Sequence, residues 1–384
     1  MHFANQSCCW DRSNQKLARL PLAAIAMVCR GSSTEQAVEL LNQASLEPDA
    51  ARKVDHLKGL LELVARKEPG LLPEFLPHVL ELRCDPAVAV RKYLPEFVEG
   101  AVQAVPTPGV LGHCLEALRG LLADGSAAVT KRAVLSCYMV FRTSYALVAL
   151  QSLKHAPAAI QQLWQAALEL KAAVLGLAAQ PGNDGVRLNA AKFLEQAVLL
   201  LTAESVPAVA GVSQAAQPLP ADNAVFKKAV LVREAEALLA RLVALLKLKL
   251  GSEVSGPLAI TVIKAAGCIA QQRPQFMGRL LPALLTLASS GDYRADAGAD
   301  SGVQSSVANA LRGSLAAISR SQHPMALAWR KKVADALHAL GDAGPVGAAS
   351  AGPQADRWDV VPAEMLRLDC LRCPVVIHPN ADGL

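Results

Sequence analysis

The chain has 384 residues, 52% of them apolar but only 4% aromatic, with a formal net charge of +5. That charge is mild for the length and does not by itself argue for nucleic acid. No apolar run reaches the ~18 uncharged residues that a membrane span requires. Ala and Leu, two of the strongest helix formers, dominate the apolar fraction together with Val. This favours stacked helix pairs filled with small aliphatics over one large aromatic-rich core.

Residues 1–32 stand apart. Leu20 to Val28 is a short apolar run behind Arg12, Lys16 and Arg19, interrupted at Pro21 and followed by no clean small-residue cleavage pattern. A disordered or targeting-like extension is expected there.

From residue 32 helical periodicity is nearly continuous. Ser32-Ser33-Thr34-Glu35-Gln36 reads as a capping box, with Val38, Leu41 and Ala44 following at helical spacing. The second helix carries Val54, Leu57, Leu61 and Val64 on one face and ends at Pro69-Gly70. A third is expected over 71–83 and a fourth after Asp85-Pro86. The Pro-Thr-Pro-Gly break at 106–109 opens the fifth, and Asp124-Gly125 separates it from the sixth. Further helices are expected near 157–179, 184–202, 225–250, 257–272, 274–289, 302–319 and 324–340. Two longer connections, 203–224 and 290–301, read as flexible surface loops. Residues 342–384 lose periodicity and are expected to form a disordered tail.

Self-similarity decides the fold class. Asp85 stands five residues before Val90, which Arg91-Lys92 follow; Asp124 stands five before Val129, which Thr130-Lys131-Arg132-Ala133 follow. The offset between the two valines is 129 − 90 = 39 residues. Asp184-Gly185-Val186-Arg187 with Ala190 is a third copy with the acid moved closer, and Val307 with Ala310 a fourth without the base. In each copy the acid closes a turn and favours the N-terminal end of the next helix. The valine packs on its neighbour, and the base can bridge to the acid of the adjacent repeat. Such units bury their faces only by stacking. The expectation is therefore all-α: an α-solenoid of HEAT- or armadillo-like helix pairs, about six to seven repeats, over 33–341.

Catalytic chemistry is not visible. There is no glycine-rich phosphate loop, no His-Glu-x-x-His and no Gly-x-Ser-x-Gly elbow. No catalytic residue, cofactor or metal site is expected. Cys370-Leu-Arg-Cys373 with His378 has the spacing of half a zinc site, but a second half is missing. The nine cysteines are odd in number and irregularly spaced, which reads as a reducing compartment rather than a disulfide framework.

The bases are more informative. Arg91, Lys92, Lys131, Arg132, Arg187 and Lys192 all lie near the starts of second helices, which line the concave face of a HEAT solenoid. Two readings stand side by side: the charges form one electropositive strip, suited to an acidic protein surface, a phosphorylated peptide or a weak RNA contact, or several of them only bridge between repeats. Stacking aromatics are absent nearby, which favours protein. On α-helical geometry Val186, Ala190 and Phe193 form one buried stripe. Lys192 then points away from it, and Arg187 serves the bridge between repeats.

Several strings together resemble the symplekin N-terminal HEAT family. They are Ser33-Thr34-Glu35 with Leu40-Leu41-Asn42-Gln43-Ala44, Asp85 to Lys92, Asn183 to Arg187 with Lys192-Phe193, Gln272-Arg273-Pro274 with Phe276-Met277, Ser305-Ser306-Val307, and His323-Pro324. The resemblance implies a nuclear, non-catalytic scaffold of pre-mRNA cleavage and polyadenylation. Its concave side would receive a phosphatase that acts on the RNA polymerase II C-terminal domain. It implies Lys192 as a contact residue and makes Asn309 the candidate for a second, because Ala310 stands where the family has asparagine. Lys131, Arg132 and Arg187 complete the candidate partner-binding set. Longer members of the family continue into a region that contacts cleavage and polyadenylation factors, so a fragment, a truncated gene product or a short paralogue is expected. The alternative is a HEAT adaptor of another pathway, such as a transport receptor or a phosphatase regulatory subunit.

Overall fold

A computed structural model describes residues 31–152, 155–220, 223–290 and 301–342. The expectations for residues 1–30 and 343–384, including the cluster of Cys370, Cys373 and His378, lie outside the described residues.

The described residues form α1 (Gly31–Leu46), α2 (Ala50–Leu61), α3 (Leu72–Glu81), α4 (Val88–Ala104), α5 (Pro108–Leu122), α6 (Ala127–Gln151) and α7 (Ala158–Ala179). They continue through α8 (Asp184–Leu201), α9 (Lys228–Leu246), α10 (Gly256–Gln272), α11 (Met277–Ser290), α12 (Ser301–Ser319) and α13 (Pro324–Asp342). Local chemistry sets the starts. Asp49 accepts from Arg52 N, Thr107 from Val110 N and Asn183 from Val186 N, each satisfying a first-turn amide that has no intrahelical partner. Pro108 and Pro257 sit in first turns, where a missing amide costs nothing.

The packing is that of an α-solenoid. Helices α2, α4, α6, α8, α10 and α12 stack one on the next in a single row, and α3, α5, α7, α9 and α11 form a second row against them. Contacts therefore run between neighbours in chain order, which is how stacked helix pairs bury faces that none could bury alone. The core is largely Leu, Val and Ala. The ninth helix is shorter than its periodicity suggests, ending at Leu246 rather than 250.

Five of the aromatic residues gather in one place. Phe141 and Tyr145 of α6, Trp164 of α7, Phe193 of α8 and Phe226 meet in one cluster, with ring centroids 4.7 to 6.2 Å apart. Trp164 is thus part of the core. Helix α6 is long and apolar enough to cross a membrane by length and composition, yet its apolar side chains pack against α4, α5, α7 and α8.

Residues 203–220 depart from the expected flexible loop. Ser205–Val206 (β1) pairs antiparallel with Gln217–Pro218 (β2), and Arg142 of α6 donates to Ala208 O at 2.7 Å. Gly211, at φ +74°, lies so near Pro106 that a Cβ there would come within 2.6 Å of the ring. Past the hairpin, buried Asn223 donates to Ala149 O at 2.8 Å and accepts from Ser152 Oγ and the Phe226 amide. The segment is fastened across the ends of α4 and α6 because its backbone groups find partners there.

Candidate functional site

The turns before the second helices carry a ladder of charges. Asp85 accepts from Ala87 N and from Lys53 Nζ of α2. Asp124 accepts from Ser126 N and from Arg91 of α4, Nε to Oδ2 at 2.6 Å. Each aspartate therefore closes its own turn and receives the base of the preceding repeat. Burial alone would raise the Asp124 carboxyl; its bonds from Arg91 and the Ser126 amide outweigh that and hold it below the usual carboxylate range. Thr130 stands where Arg91 has its counterpart, and its hydroxyl turns back to Asp124 O and Ser126 O. The rung resumes at Arg187, whose Nη1 donates to Glu253 O at 2.8 Å in the turn before α10.

The second row is cross-linked along its length: Arg83–Glu116, Arg119–Glu169, Lys171–Glu234 and Arg279–Glu236 tie each of its helices to the next. The first row carries open bases beside its paired ones. Among the described residues, Lys92, Lys131, Lys192 and Lys264 are exposed and take part in no ion pair. Lys92 and Lys131 follow Val90 and Val129 by two residues; Lys192 and Lys264 follow Val186 and Leu258 by six. Two and six residues are about 200° and 240° of helical rotation, so all four lie in one strip opposite the buried stripe. Val88 (43% exposed) and Leu135 (38%) add apolar patches to the strip. Glu96 adds one exposed acid. Arg142, thirteen residues after Val129, marks where the 203–220 segment closes one end.

The candidate residues separate into distinct environments. Val186, Ala190 and Phe193 are buried, and Lys192 points out of α8 beside half-buried Glu195. Burial raises the Glu195 carboxyl, with the Cys268 thiol of α10 and Lys192 opposing. Lys131 lies over Gly185, its Nζ 3.5 Å from where a Cβ would stand, and so reaches the first turn of α8. Arg187 is 5% exposed and is held in the turn, not on the strip. Arg132 does not belong to an open strip either: it grips Glu99 of α4 with both terminal nitrogens, at 2.7 and 2.9 Å, and Ser136 Oγ at 2.7 Å. Asn309 is exposed on α12 and accepts from Arg312 Nη1 at 2.8 Å.

Lys264, Leu135, Glu195 and Cys268 escaped the sequence reading. For Lys264 a signal existed: it occupies the same offset from Leu258 that Lys192 has from Val186. Among the described residues no three His, Cys, Asp or Glu side chains come together as a metal site.

Residues 126–344 match the symplekin/PTA1 N-terminal family. Among solved structures, an engineered protein from a structural genomics consortium is 15% identical, with 73% of this chain and 97% of that chain covered and a TM-score of 0.34.

Proposed function

The chain belongs to the symplekin/PTA1 N-terminal family, scaffold proteins of mRNA 3′-end processing, and we propose that its work is docking: the lysine strip on the row α4–α6–α8–α10–α12 receives a phosphatase of the RNA polymerase II C-terminal domain. In a HEAT solenoid that row lines the concave side. Cleavage and polyadenylation factors are the wider company in which such a scaffold works, in the nucleus. Lys131 and Lys192 are assigned to the contact, Lys92 and Lys264 extend it, and Asn309 lies on the same row. Arg187 and Arg132 act by holding the repeats in register.

One observation carries this reading. Among the described residues Lys92, Lys131, Lys192 and Lys264 stand exposed in one strip of one row, and none of them takes part in an ion pair. Unpaired, aligned like charges cost a chain some self-repulsion and are useful mainly toward an anionic partner, whose approach they also steer. Tyr138 of α6, seven residues after Lys131, is half-buried, and one partly covered ring offers successive bases little to stack on, so a protein surface suits the strip better than single-stranded RNA.

The test is a titration of the full chain with the phosphatase at physiological salt. Lys131→Glu with Lys192→Glu is expected to weaken binding at least tenfold, about 1.4 kcal/mol, with unchanged helicity and melting temperature. Equal affinity for the double variant and wild type would remove the strip from the interface. Recovery of nuclear-pore proteins or a phosphatase core enzyme, in place of 3′-end-processing factors, would instead favour an adaptor of another pathway.

A further inference from the structure

Between α10 and α12 the docking row opens into a groove of about 320 Å³. Its origin is steric. The two helices approach closely where Gly267 meets Ser314: a Cβ on Gly267 would lie 2.8 Å from both the Cβ and the Oγ of Ser314. Ala310, Gly313 and Ala317 follow on the α12 side, so the floor carries no long side chain. At Gly313 a Cβ would meet nothing within 4 Å.

The rim is polar and its unused valences are specific. Gln271 donates Nε2 back to Gly267 O at 3.1 Å, which leaves its Oε1 as an acceptor. Asn309 uses Oδ1 to accept from Arg312, which leaves Nδ2 as a donor. Lys264 supplies an ammonium group with no acidic partner among the described residues.

One acceptor, one donor and one cation over a shallow floor of small residues match a particular ligand chemistry. A peptide backbone offers one N–H and one C=O per residue, and an extended strand needs a floor without bulky side chains to lie close. No aromatic ring lines the groove, so nucleobases have nothing to stack on. The volume is at the low end for ligand pockets, ~300–1,000 Å³, enough for a few residues.

We propose that the groove between α10 and α12 binds a short extended segment of a partner polypeptide. Gln271 and Asn309 read its main chain and Lys264 its acidic side chain. The proposal rests on the reading of this row as a docking face, and adds what part of a partner enters it. Lys264 aligns with Lys192, so a partner held on the strip can feed such a segment into the groove without a second binding event.

A phage-displayed library of random twelve-residue peptides, panned on the full chain, tests this. Enriched peptides are expected to contain acidic residues, and a fluorescein-labelled representative should bind with a Kd raised at least tenfold by Gly313→Leu. That change fills the groove without meeting any neighbour at its Cβ and replaces glycine with a better helix former. Lys264→Glu should abolish the preference for acidic peptides. No enrichment, unchanged binding to Gly313→Leu, or displacement of the peptide by twelve-nucleotide oligouridine would overturn the proposal. Peptide capture together with a phosphatase that ignores Lys131→Glu and Lys192→Glu would leave the groove standing and the strip reading refuted.

Discussion

Arg91 of α4 and Asp124, the aspartate that closes the turn before α6, are joined at 2.6 Å, with 16% and 7% of their side chains exposed. The same carboxylate accepts the Ser126 amide at 2.7 Å, so one residue both starts its own helix and anchors the preceding repeat. Removing Arg91 leaves a largely buried carboxylate uncompensated. Arg91→Ala is expected to lower stability by about 2 kcal/mol, below the 3–5 typical of fully buried pairs because water reaches part of this one. Since the Asp124 carboxyl is held low in the fold, its contribution is present above the unfolded value of ~3.9 and disappears as pH falls through the folded value. Urea titrations of wild type and Arg91→Ala should therefore converge in acid; a constant gap would assign the loss to packing.

Arg187 and Lys192 make a contrasting pair on one helix. Arg187 is buried and bonded to Glu253 O; Lys192 is exposed and without an ion pair. Arg187→Ala is expected to cost roughly 1–3 kcal/mol, the range for orphaning a buried acceptor and losing a charged hydrogen bond. Lys192→Ala should stay within about 0.5 kcal/mol of wild type. Equal melting temperatures for the two variants would contradict this division of roles.

Glu195 has the opposite pH signature from Asp124. Burial raises its carboxyl in the folded chain, so the fold retains a proton that the unfolded chain has already lost. Stability due to this group falls as pH rises from the unfolded value of ~4.3 through the folded one, and is lowest above it. Glu195→Gln is expected to melt higher than wild type near neutral pH and to lose that advantage in acid. A neutral-pH melting temperature below that of wild type would show that the charged form is the one the fold prefers.

Tyr145 sits in the aromatic cluster with its hydroxyl buried and with no partner among the described residues; burial pushes its phenol up to about 12. Deleting an unsatisfied polar atom removes a desolvation cost of ~1–3 kcal/mol and leaves the ring contacts. Tyr145→Phe should thus be neutral or stabilising in thermal melts, and a clear loss would reveal a hydrogen bond to that oxygen.

Gly211 is required by two constraints together: a left-handed backbone and the face of Pro106. Gly211→Ala should loosen the fastening of residues 203–220. Limited proteolysis is expected to cut that segment faster in the variant while the helices remain protected; an unchanged cleavage pattern would mean that the Arg142–Ala208 contact suffices.

What the sequence determined by itself was everything that depends on spacing along one helix. The stripe of Val186, Ala190 and Phe193, the outward Lys192, the breaks at Pro69-Gly70 and Asp124-Gly125, and the 39-residue offset all follow from the 3.6-residue period and from turn chemistry. The base-to-acid rung was also legible, because Asp85 and Asp124 recur at a fixed distance before Val90 and Val129. Tertiary structure decided which base meets which acid. Arg132 reads like its neighbour Lys131, yet it turns to Glu99, 33 residues earlier, while Lys131 stays open above Gly185. Lys264 joins the strip only through the stacking of α10 on α8, and the groove beside it exists only because Gly267 lets α12 approach. Nor does the Ala-, Pro- and Ser-rich composition of 203–220 reveal its fastening, which needs Arg142, Pro106 and Asn223 brought together. Periodicity is written in the local backbone, whereas pairing across repeats depends on the register in which separate helices stack, and no window of one helix carries that register.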